Sequence, residues 1–116
     1  MNGNAIVEKS FDFAVRIVNL CKYLSQEQKE YTLSKQLLRC GTSIGANVFE
    51  AQKGQSRADF TAKMCIALKE ANETDYWLKL LHHTNYLTDA QYKSILADMQ
   101  ELLGLLTAIC RTTNTK

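Results

Sequence analysis

The sequence predicts an all-α protein, an antiparallel up-and-down four-helix bundle with short loops. Three observations carry that prediction. Apolar residues recur at three- and four-residue steps along four segments, with no strand-like alternation. Proline is absent from all 116 residues, and proline both punctuates loops and breaks helix interiors. The polar links between segments are short, and short links force successive helices to lie antiparallel. The length fits a single domain over residues 1–116.

The first helix is read over about 10–25, with Ser10 as its cap. Phe11, Ala14, Ile17, Val18, Cys21 and Leu24 form its apolar stripe. The polar stretch Ser25 to Glu30 reads as the first connection. Thr32 is placed as the N-cap of a second helix over 32–52, whose apolar face is Leu33, Leu37, Cys40 or Gly41, Ile44, Val48 and Ala51. Gly41 and Gly45 lie on one side of it, and each glycine costs about 1 kcal/mol against alanine in a helix. Either a neighbouring backbone approaches closely there, or these are two tolerated weak positions. Gly54 is read as the C′ residue that closes the helix.

Ser56 followed by Asp59 has capping spacing and opens a third helix over 57–86. Its apolar side is Phe60, Met64, Ala67 or Leu68, Ala71, Thr74 or Asp75, Leu78 and Leu81. At roughly 45 Å it is the longest helix of the prediction, and part of it is expected to project beyond the bundle. Thr88 to Gln91 is a second capping box. It opens a fourth helix over 89–111 carrying Tyr92, Ile95, Leu96, Met99, Leu102, Leu103, Leu106 and Ile109, followed by a polar tail read as frayed, Arg111 to Lys116.

Composition narrows the function classes. The formal charge of +2, from 14 Lys+Arg against 12 Asp+Glu, is too small to argue nucleic-acid binding by itself. The longest apolar run, Leu102 to Leu106, is far short of a membrane span. Met1 to Val7 lacks the pattern of a signal peptide. Cys21, Cys40, Cys65 and Cys110 form no C-x-x-C pair and fall among apolar residues. They read as small buried thiols in a reducing compartment, so a cytoplasmic location is expected.

No catalytic residue, metal site or cofactor is expected. A di-metal carboxylate bundle needs two Glu-x-x-His motifs, and the chain offers only Glu70-x-x-Glu73. His82 and His83 are neighbours and point about 100° apart on a helix. Ser43 sits in no nucleophile elbow, and nothing marks Cys40 as activated. No glycine-rich phosphate loop is present.

Two polar rows stand out. Gln36, Cys40, Ser43, Asn47 and Glu50 run along one side of the second helix; Lys69 or Glu70, Glu73 and Trp77 run along the third. They read either as a polar network between helices or subunits, or as ordinary boundary rows touching water. Neighbouring side chains cannot share one core, so Tyr76 or Trp77 should sit at a rim or an interface. Lys53, Arg57 and Lys63, with Lys35 and Arg39 upstream, are interrupted by Glu50 and Asp59. That pattern favours a charge-mixed surface over a phosphate-binding patch.

The segment Leu37 to Ala51, with an arginine followed by Ser-Ile-x-x-Asn-x-x-Glu, resembles the hallmark of the 23S rRNA intervening-sequence protein family, also labelled "four helix bundle protein" or S23 ribosomal protein. Asp59-Phe60 and Ala67 to Leu78 resemble its second block, and Leu87-Thr88 its third boundary. The likeness runs from about Phe11 to Ile109. It implies a four-helix bundle that associates into a homopentamer. Arg39, Ser43, Asn47, Glu50 and Glu73 are the residues that match its polar positions, and the resemblance favours their joining in a network. The family's hallmark usually ends in Glu-Gly; here Ala51 follows Glu50, so the helix can run a turn further. A related branch, the accessory proteins of diversity-generating retroelements, is strongly basic and binds a reverse transcriptase and nucleic acid. The expectation is therefore a non-enzymatic homo-oligomeric scaffold or adaptor. The alternative is an RNA- or DNA-binding accessory protein that works with a reverse transcriptase or rRNA, with Lys53, Arg57 and Lys63 as its contacts. A metal-dependent bundle enzyme is the least favoured reading.

Overall fold

The computed structural model describes residues 2–114. Four helices follow one another: α1 (Asn2–Gln26), α2 (Thr32–Ala51), α3 (Arg57–His83) and α4 (Asp89–Asn114). α1 packs on α2, α2 on α3, α3 on α4, and α4 closes back on α1, while the diagonal pairs do not approach one another among the described residues. The result is the expected antiparallel four-helix bundle, with extents of 45 × 21 × 20 Å.

The core is one continuous column. α1 contributes Ile6, Phe13, Ile17, Cys21 and Leu24; α2 contributes Leu37, Ile44, Val48 and Ala51. Met64, Ala67, Ala71, Leu78 and Leu81 enter from α3, and Ile95, Met99, Leu102, Leu106 and Cys110 from α4. Burying each large side chain is worth about 1.5–3 kcal/mol, which fixes the bundle far more than helix propensity does. Gly41 and Gly45 let α1 and α2 close in. A Cβ on Gly41 would lie 2.8 Å from Ile17 Cγ2, and one on Gly45 would lie 3.1 Å from the Ser10 carbonyl oxygen. Of the two readings left open by the sequence, close backbone approach is the one the fold uses.

Several boundaries differ from the sequence reading. α1 begins at Asn2, so Ser10 is no cap. It is buried in mid-helix, and its hydroxyl donates back to the Val7 carbonyl at 3.1 Å. Phe11 and Val18 leave the core and face outward, while Phe13 takes the inner position. Thr32 is the first residue of α2, and the cap position, Tyr31, makes no side-chain bond. The Glu30 carboxylate caps instead, accepting from the backbone N–H of Leu33 at 3.0 Å and Ser34 at 2.8 Å.

α3 stops at His83, and its 27 residues nearly equal the 26 of α4, so it is not the protruding helix expected. Asn85, at φ 72°, ends it, with the Tyr86 N–H returning to the Leu81 carbonyl. Lys29, at φ 56°, closes α1 in the same way, the Glu30 N–H reaching Leu24 O at 2.9 Å. Gly54 adopts no positive φ and is not a left-handed C′ residue. It is small because the turn is tight: a Cβ there would lie 3.1 Å from Asp59 Cβ.

Both predicted capping pairs form. Ser56 Oγ accepts from Asp59 N–H at 3.0 Å. Thr88 and Gln91 exchange bonds reciprocally, Gln91 N–H to Thr88 Oγ1 at 3.1 Å and Thr88 N–H to Gln91 Oε1 at 2.8 Å. α4 continues as helix through Asn114 instead of fraying at Arg111; Thr115 and Lys116 of the tail lie outside the described residues.

Candidate functional site

The two polar rows resolve into separate groups on the α2–α3 side. Arg39 reaches across from α2 to Glu73, and its other guanidinium nitrogen lies 3.4 Å from Glu70 Oε1. The Trp77 Nε1–H donates to Glu73 Oε2 at 3.0 Å. Glu73 thus holds a cation from the facing helix and an indole one turn along its own. Arg39 is half exposed, so its ion pairs are worth no more than about 1 kcal/mol. They set register more than they add stability.

Further along, Lys63 Nζ lies 2.8 Å from Glu50 Oε1, and this bond holds the Glu50 carboxyl below its usual pKa. Ser43 and Asn47 sit between the two groups. Their side chains donate to their own helix, to Arg39 O and Ser43 O at 2.7 and 2.8 Å. The sequence singled out five polar residues; the fold joins Arg39 to Glu73 directly and leaves Ser43, Asn47 and Glu50 as a row beside them.

Of the five basic residues singled out in the sequence, Arg39 and Lys63 are in ion pairs and Lys35 stands exposed. Lys63 is held by Glu50 and Arg39 by Glu70 and Glu73. Lys53 lies over the Phe49 ring, 4.9 Å from its centroid. Arg57 stands exposed in the first turn of α3. Glu50 and Asp59 lie beside Lys53 and Lys63 along one surface pocket.

Near the α3–α4 turn, His82 stacks on Tyr92 with centroids 4.3 Å apart, and its Nε2 lies 2.7 Å from Asp89 Oδ1. That bond holds the Asp89 carboxyl below its ordinary range. The pair ties the end of α3 to the start of α4. Among the described residues, no group of three or more His, Cys, Asp and Glu side chains is placed to hold a metal ion.

One surface feature went unnoticed in the sequence. A groove of about 720 Å³ runs between α1 and α2, lined by the apolar or small residues Val7, Phe11, Ala14, Gly45, Ala46 and Phe49 and by the polar residues Glu8, Asp12 and Thr42. Phe11 is 66% exposed and Phe49 57%. Val15, Val18 and Leu38 extend the apolar face along the same two helices. On α3, Tyr76 is 58% exposed, whereas Trp77 packs against the core. The expected division between these neighbours is therefore settled, with Tyr76 outside. The missed signal was a second apolar spacing on α1 and α2. Residues 11, 15 and 18, and residues 38 and 49, lie off the buried stripe yet are large and apolar.

Cys21, Cys40 and Cys110 are buried and Cys65 is half-buried. Burial pushes the Cys21 thiol up to about 11; burial and the neighbouring Cys65 push Cys110 to about 12. The thiolate is the nucleophile. Alkylation by iodoacetamide at pH 8 tests this. Cys21 and Cys110 should react on the order of a hundredfold slower than in urea, since more than two pKa units separate them from a free thiol. Peptide mass mapping over time reads this out; equal native and denatured rates at Cys21 would contradict it.

No helix among the described residues is long and apolar enough to cross a membrane. The sequence matches the family described as 23S rRNA-intervening sequence protein over residues 3–108. A search of curated proteins finds no match. A crystal structure from Bacteroides thetaiotaomicron, described as a protein with unknown function from the S23 ribosomal protein family, is 58% identical. It superposes with a TM-score of 0.93 over 96% of this chain and 99% of that one. With the polar hallmark, the bundle and a match spanning nearly the whole chain in agreement, this protein belongs to the 23S rRNA-intervening sequence protein family.

Proposed function

We propose that the chain is a non-enzymatic, self-associating scaffold whose subunits meet through the apolar α1–α2 face. A ring of five is the assembly that the family resemblance implies. The carrying observation is the exposed apolar face itself: Phe11, Val15, Val18, Leu38 and Phe49 on two adjacent helices. Surface hydrophobics scattered singly need no explanation, but a contiguous apolar patch marks an interaction site. The Arg39–Glu73–Trp77 cluster serves this role indirectly, holding α2 in register on α3 so that the face is presented rigidly. Cysteines that form no C-x-x-C pair and fall among apolar residues favour the reducing cytoplasm as its setting.

This reading is better supported than nucleic-acid binding, because Arg39 and Lys63 are committed to carboxylates and the formal charge is only +2. Sedimentation velocity at tens of micromolar tests it. The wild type should run as a multimer. Phe11→Glu with Phe49→Glu should run as a monomer with unchanged helical content, the association weakened at least about 100-fold as for interface anchors. A wild type that stays monomeric at high concentration, or a double variant of wild-type mass, overturns the reading.

A further inference from the structure

The α1–α2 groove has one conspicuous counterpart elsewhere on the chain. Tyr76 stands at the centre of the outer face of α3, with its ring exposed. Lys69 and Lys79, seven residues before and three after, fall on the same side of the helix and are exposed. Ile66, 42% exposed, lies about 80° further round the helix, toward the α2–α3 turn. α1 and α3 do not pack against each other, because α2 and α4 lie between them. The groove and the Tyr76 ridge therefore look in different directions from one subunit.

We infer that the occupant of the α1–α2 groove is the outer face of α3 from a second copy of this chain, with Tyr76 seated between Phe11 and Phe49. The inference rests on the self-association reading and adds which face meets which. Charge complementarity carries it. Glu8 and Asp12 are among the residues that line the groove, and Lys69 and Lys79 are exposed on the Tyr76 side of α3, so the contact pairs opposite signs.

Pairing groove with groove would leave Tyr76 in water. Groove to ridge covers both faces of every copy with one kind of contact. Such a head-to-tail contact closes a ring when its rotation allows and otherwise makes a filament.

Mixing two disabled variants tests this directly. Phe49→Glu removes the groove and keeps the ridge; Tyr76→Glu removes the ridge and keeps the groove. Both side chains are more than half exposed, so both variants should fold, as circular dichroism would verify. Each alone should sediment as a monomer, with association weakened at least about 100-fold. An equimolar mixture should form a heterodimer through the one intact joint, and native mass spectrometry of isotope-labelled partners would show its mixed composition. Tyr76→Glu at wild-type mass overturns the inference while leaving self-association standing. So does a mixture that stays monomeric when both single variants are monomers. A monomeric wild type overturns both readings together.

Discussion

Gly41→Ala should destabilise the bundle by about 2–3 kcal/mol, while the same change at Gly104 should stabilise it by about 1 kcal/mol. Helix propensity favours alanine at both positions, so only the surroundings can separate them. The new methyl at 41 would lie 2.8 and 2.9 Å from Ile17 Cγ2 and Cγ1. Ile17 is fully buried and β-branched, with one strongly preferred χ1 in a helix, so it cannot swing aside. The strain must then push α1 from α2. Gly45→Ala meets the Ser10 carbonyl at 3.1 Å. That atom is backbone, and it moves only if α1 moves, so a loss of about 1–2 kcal/mol is expected. At Gly104 a Cβ meets nothing within 4 Å, and the propensity gain stands alone.

Thermal melts should place Gly41→Ala roughly 10 °C below and Gly104→Ala a few degrees above the wild type, at about 4 °C per kcal/mol for this size. Ile17→Ala should cost less in the Gly41→Ala background than in the wild type, since it removes the atoms that clash. If Gly41→Ala melted at or above the wild type, the close approach of α1 and α2 would be wrong.

Much of the fold was legible because a helix repeats every 3.6 residues and a buried face repeats with it. Leu37, Ile44, Val48, Met64, Leu78, Met99 and Leu106 fall on that repeat and are all buried. Legibility failed where two apolar spacings share one helix. On α1, Phe11 and Val18 read as core as readily as Phe13, because hydropathy carries no direction. Reading the start at Ser10 then anchored the stripe on Phe11, although Ile17, Cys21 and Leu24 further along it are buried. Ile6, four residues before that serine and 3% exposed, shows where the inner face lies. The polar cluster was half legible for another reason. Glu73 and Trp77 share a helix face, so spacing links them, but Arg39 is 34 residues away from Glu73 and only the α2–α3 packing brings them together. Asn47 spends its amide on its own helix, an outcome that spacing cannot distinguish from a bond across the interface.

The connection after α1 conceals the other large effect, because a polar run reads as loop whatever its side chains do. Glu30 serves two helices at once. Its N–H closes α1 on Leu24 O, and its carboxylate opens α2 by accepting from Leu33 and Ser34. The residue is only 9% exposed, and Ser34 is buried as well. Removing the carboxylate would leave a buried N–H without a partner and an uncompensated positive helix end. Charge-assisted bonds are stronger than neutral ones, and an orphaned buried donor costs about 1–3 kcal/mol. Glu30→Ala should therefore cost about 2 kcal/mol, and Glu30→Gln about half of that, since the amide oxygen keeps one bond but loses the charge opposite the helix dipole. Urea denaturation measures the loss. Amide exchange gives it an address: Leu33 and Ser34 should lose protection ahead of mid-α2 residues such as Ile44 and Val48. A Glu30→Ala variant within about 0.3 kcal/mol of wild type, with unchanged protection at Ser34, would mean that water caps this helix as well as Glu30 does.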